Sequence, residues 1–126
     1  MKLIKTLFLI LLVAPVTPIL AGDAEQAQMA QILMNLNHYP GGQEKATLEA
    51  LANDASLSDS ERTIASALAG VEHYPAASDK EKLMAIARSN GEDQQVRELA
   101  RILHGLEHRV SAEDKTLLST IVSAQD

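Results

Sequence analysis

Residues 30–38 read AQILMNLNH, residues 65–73 read ASALAGVEH and residues 100–108 read ARILHGLEH. The stretches are 35 residues apart, and three positions are identical in all of them: Ala30, Ala65 and Ala100; Leu33, Leu68 and Leu103; His38, His73 and His108. The register continues without a gap through Lys45, Lys80 and Lys115 and then Leu48, Leu83 and Leu118. Similar residues fill the columns between them: Leu36, Val71 and Leu106; Glu44, Asp79 and Asp114; Leu51, Ile86 and Ile121. These columns mark an internal repeat, with copies at about 22–56, 57–91 and 92–126.

Each copy reads as two helices. In the second, Ile64, Ala67, Leu68 and Val71 follow the i, i+3, i+4, i+7 spacing of one buried stripe. Ser58 with Glu61 makes a capping-box start, and Tyr74-Pro75 provides a stop. A second helix starts at Ser78, with Glu81 three residues on, and ends near Asn90-Gly91; Leu83, Ile86 and Ala87 form its apolar side. The same plan in the other copies predicts six helices near 24–38, 42–54, 60–73, 78–89, 93–108 and 112–123. No stretch alternates as a strand would. Ala30, Ala65 and Ala100 predict close helix approach. Gly70 and Gly105, in the column of Asn35, point to a close contact or a cleared surface, because glycine costs about 1 kcal/mol inside a helix. The expected fold is all-α: three stacked 35-residue helical hairpins forming a short α-solenoid-like repeat domain.

Stacked hairpins of this length resemble the tetratricopeptide class of α-solenoid repeats. The resemblance covers residues 22–126 as architecture only, since the aromatic landmarks of that family are missing: no tryptophan opens the first helix and no aromatic supports the second. What it implies is a binding scaffold rather than an enzyme.

The first 21 residues read as a cleavable Sec-type export signal: Lys2 and Lys5, an apolar run from Leu7 to Ala14, Pro15 and Pro18, and Ala21 at the cleavage position. The apolar run is short for a bilayer, which takes about 20 residues, so no membrane anchor is expected after cleavage. With no cysteine, the chain has no disulfides and no lipoprotein anchor. The expected location is periplasmic or secreted. A net charge of −6, made more acidic by loss of Lys2 and Lys5, repels phosphate backbones. Beyond the signal the only aromatics are Tyr39 and Tyr74, so nucleic-acid binding is not expected and carbohydrate binding is disfavoured.

One string matches a catalytic pattern. His104-Gly105-Leu106-Glu107-His108 fits the H-x-x-E-H signature of zinc peptidases, with His104 and His108 on one helix face. Copy two has Ala69-Gly70-Val71-Glu72-His73 there and copy one Met34-Asn35-Leu36-Asn37-His38, so Glu-His belongs to the repeat and only His104 is new. No G-x-S-x-G elbow or phosphate loop is present. No catalytic residue, cofactor or metal is expected, with His104 and His108 the one candidate metal pair.

One polar face is more informative. It carries Gln28, Gln31, Asn35 and His38; Thr63, Ser66, Gly70 and His73; and Glu98, Arg101, Gly105 and His108. Stacked first helices would line a groove with these rows. The expected partner-binding residues are therefore His38, His73, His108, Gln31, Ser66 and Arg101; the competing reading is histidines serving helix C-termini. In a stack the histidines form a spaced row in which the outer two cannot share an ion and adjacent ones would have to reach towards each other. The expected function is a non-enzymatic protein- or peptide-binding module of the cell envelope. The alternatives are a small metal-dependent enzyme using His104/His108 and an acid-responsive periplasmic holdase.

Overall fold

The computed structural model describes residues 23–124. The expected export signal and cleavage position fall on residues 1–22, outside the described residues. Six helices follow in order: α1 (Asp23–Asn35), α2 (Gly42–Ala52), α3 (Asp59–Ala69), α4 (Ala77–Ala87), α5 (Gln94–His104) and α6 (Ala112–Ser123). Among the described residues there is no strand, and no helix is long and apolar enough to cross a membrane. The all-α, three-copy, six-helix architecture is as the repeat predicts.

Helix starts follow the capping chemistry in part. Ser58 accepts from the Glu61 N–H at 3.1 Å, and the Glu61 carboxylate accepts from the Ser58 N–H at 2.9 Å. Ser111 caps α6 by accepting from the Asp114 N–H. The Ser78–Glu81 box does not form, because α4 starts one residue earlier at Ala77 and leaves Ser78 inside its first turn.

The first helices end sooner than the periodicity predicts, at Asn35, Ala69 and His104. Gly70 and Gly105 cap two of them. Each returns its N–H to the carbonyl of Ser66 or Arg101, four residues back, at 3.2 Å, and Val71 and Leu106 then bond three residues back. A β-carbon on Gly70 would meet only the Ser66 and Ala67 carbonyls, at 3.6 and 3.8 Å. The glycine column therefore marks a helix end on an open surface, not a close contact between helices.

Burial repeats with the sequence. Leu33, Leu68 and Leu103, Ala30, Ala65 and Ala100, and Leu48, Leu83 and Leu118 are all fully enclosed. Leu36, Val71 and Leu106, just beyond the first helices, join the same core. The tight helix pairs straddle the copy boundaries: α2 packs on α3, α4 on α5, and α6 returns to pack on α1 as extensively as the other two pairs. Two pairs are joined by short loops; the third is made by the terminal helices. The inner helices α1, α3 and α5 touch one another. The stack of three copies is thus closed into a ring around a pseudo-threefold axis.

Contacts within single columns establish the axis. Gln26 donates to Glu61 at 2.8 Å across 35 residues, and both are buried. Equivalent side chains of copies one and two thus meet beside the axis that the return of α6 to α1 defines. Closure has an energetic consequence: without residues 92–126, α1 loses α6 and α4 loses α5. Urea unfolding of a chain ending at Gly91 should therefore show no cooperative transition at the parent's midpoint; a fragment as stable as the parent would contradict the closed ring.

Candidate functional site at the histidine pole

The opposite end of the axis is built by the residues after α1, α3 and α5. There the chain turns sharply at one residue in each copy, and that residue is His38, His73 or His108. Their φ angles are 74°, 70° and 67°, the only positive values at non-glycine residues among those described. In copy three the Arg109 N–H donates to the Glu107 carbonyl at 2.7 Å, closing a γ-turn centred on His108. Left-handed backbone costs an L-residue about 1–2 kcal/mol. Glycine would avoid that cost, yet all three copies keep histidine.

The ring's closure holds these turns in place. His38 N–H donates to the His108 carbonyl at 2.7 Å, His108 N–H to the His73 carbonyl at 2.7 Å, and His73 N–H to the His38 carbonyl at 2.6 Å. The three bonds form a closed cycle. The imidazoles follow, with His73 4.9 Å from both His38 and His108 between ring centroids, and His38 5.1 Å from His108. One nitrogen from each ring lies within 4.8 Å of the others. His73 is exposed, and His38 and His108 are half-buried. His108 Nδ1 is shut off from solvent with no hydrogen-bond partner, which costs about 1–3 kcal/mol when nothing compensates.

This arrangement corrects the expected spaced row. That expectation placed equivalent histidines on helices translated along a stack; rotation about an axis brings them to one point. The helix-end reading also changes, because each histidine stands three or four residues past its helix, beyond the reach of the terminal dipole. The His104/His108 pair does not share a helix face: α5 ends at His104, and His108 belongs to the turn. His104 takes no part in the imidazole cluster.

The remaining expected residues do not join the site. Gln31, Ser66 and Arg101 are exposed on the outward sides of α1, α3 and α5, so they face three directions and line no common groove. Arg101 donates to Glu98 at 2.9 Å and to Asp114 at 3.0 Å. The hydrogen bond to Glu98, chiefly, holds its guanidinium above the usual arginine range.

The reading by residue type missed the rim. Tyr39 and Tyr74 follow two of the histidines and are 63% and 48% exposed, while Pro40 and Pro75 behind them are buried. Tyr74 lies 5.5 Å from the His108 ring, and Lys80 Nζ stands 5.8 Å over the Tyr74 ring. In copy three Arg109 takes the tyrosine position and donates to Asn37 of copy one at 3.1 Å. The signal in the sequence that bears on the pole is the histidine column itself, identical in all three copies just past the apolar stripe.

Compared with known proteins, the chain matches no family model, no curated protein and no solved structure.

The turn geometry makes a paired prediction. His73→Gly accepts the positive φ and keeps the N–H, so its stability in urea should stay within about 1 kcal/mol of the parent. His73→Pro can do neither and should lose about 3 kcal/mol or more. A well-tolerated proline would show that the hydrogen-bonded cycle is not part of the fold.

Proposed function

We propose that this chain is exported, cleaved after Ala21, and acts in the periplasm as a non-enzymatic protein- or peptide-binding module whose binding end is the histidine pole. One observation carries the reading. The only aromatic side chains beyond the signal, Tyr39 and Tyr74, both stand exposed on the rim of a backbone-locked ring. Exposed aromatic groups on rigid supports are the side chains on which protein interfaces most depend. A rim fixed by buried prolines and by the histidine cycle loses little freedom when a partner arrives. The tetratricopeptide likeness supports a scaffold role only through its paired helices, because a closed ring offers no concave inner face. The enzyme alternative through His104/His108 gains no support, since a turn separates the two residues.

Site-specific photo-crosslinking tests the proposal. A photoreactive residue in place of Tyr39 or Tyr74 should capture a discrete envelope polypeptide in living cells. The same residue at Gln31 or Ser66, on the outward helix faces, should not. Capture from Gln31 and Ser66 with none from the tyrosines would move the binding end away from the pole.

A further inference from the structure

We propose that His38, His73 and His108 together bind one late first-row transition-metal ion of the zinc, copper or nickel class. The proposal rests on the reading of the histidine pole as the binding end and names what sits at its centre.

The distances come first. Three nitrogens no more than 4.8 Å apart lie about 2.8 Å or less from the centre of their triangle. Zinc–nitrogen bonds are about 2.0–2.1 Å, so coordination asks each donor to move inwards by about 0.9 Å or less. Small side-chain rotations supply that movement while the backbone stays where the hydrogen-bonded cycle holds it.

The donor chemistry selects the class. Imidazole suits zinc, copper and nickel, whereas calcium and magnesium take oxygen ligands, and no carboxylate belongs to this cluster. The His108 Nδ1 is enclosed and without a hydrogen-bond partner, so no protein group competes with a metal for that nitrogen.

The third argument is the backbone. A turn of positive φ is built most cheaply with glycine, and asparagine tolerates it. This chain places glycine three residues earlier, at the Gly70 and Gly105 helix caps where φ is −92° and −90°, and histidine at every positive-φ turn. Strain kept in all three copies, and directed at one point, is accounted for when the imidazole itself is needed there. A purely structural turn does not need it.

Three histidines leave a fourth position of a tetrahedral ion free. The exposed ring of His73 leaves the cluster open to solvent on its own side. Water or a side chain of an incoming partner can occupy the fourth position.

The test uses the untagged, metal-stripped protein titrated with zinc sulfate and, for its visible spectrum, with cobalt(II) chloride. One equivalent should bind saturably, raise the melting temperature and give the intense visible bands of tetrahedral cobalt. His38→Gln, His73→Gln and His108→Gln should each weaken zinc by more than the roughly 10- to 100-fold that loss of an outer-shell partner costs. His104→Gln should leave it unchanged. The unmodified protein gives a second readout that no folding defect can confuse. In a carbon–proton correlation spectrum of the imidazoles, three of the four histidines should shift together in one saturable process while His104 stays put. Scattered weak binding, or shifts led by His104, would overturn the proposal. Zinc binding fails separately from the binding-end reading: with no zinc bound and crosslinks intact at Tyr39 and Tyr74, the ion is lost and the pole remains.

Discussion

Three backbone hydrogen bonds, from His38 to His108, His108 to His73 and His73 to His38, tie the copies into a cycle, and the rest of the molecule is arranged to permit it. The bonds can close only if α6 returns to α1, because His38 and His108 belong to opposite ends of the chain. That return in turn fixes which faces are buried: every first helix needs apolar residues toward the axis and toward the second helix of the preceding copy. Leu33, Leu68 and Leu103 supply the same side chain at the same place three times, and all are fully enclosed. The left-handed turns are the local cost of bringing three N–H and three carbonyl groups to one point. Strain of this kind persists only where the surrounding packing over-determines it.

The two ends of the axis differ in how closely they keep the symmetry. At the histidine end all three copies contribute the same residue. At the other, Gln26 and Glu61 meet while Val96 takes the third place, leaving Gln26 Oε1 without a partner. The Glu61 carboxylate is satisfied there by the Gln26 amide and the Ser58 N–H, the condition under which a buried acid is tolerated. Divergence at one end and identity at the other fit a molecule whose identical side chains are used together at the histidine pole. The rim around them is unequal: two tyrosines and Arg109, the latter bonded across to Asn37. An approaching partner meets a face with a direction, not a uniform ring.

Much of this was legible in the sequence, for a local reason. Helix periodicity, the Ser58–Glu61 box and the leucine columns reflect interactions within a turn or two of chain, and each is found where its residues stand. The relation between copies was not legible from the period itself, since 35 residues per copy serve a translation and a rotation equally well. The positive φ of the histidines could not be read at all: taken alone, the sequence Val71-Glu72-His73 favours continuing the helix, and closure of the ring overrides it. His104 shows the converse failure, a residue that looked chemical in one dimension because a motif ignored where the helix ends.

The claim that three copies close around one axis is open to a direct distance measurement. The chain has no cysteine, so pairs introduced at Gln43, Ser78 and Glu113, an exposed column on the second helices, can be spin-labelled without background. Pulsed electron paramagnetic resonance on the three double mutants gives the three inter-copy distances. A ring predicts the same distance for 43–78, 78–113 and 43–113, to within the spread of the labels. An open stack with equal steps between copies would instead make 43–113 about twice either of the others, and that result would contradict the closure on which the histidine pole depends.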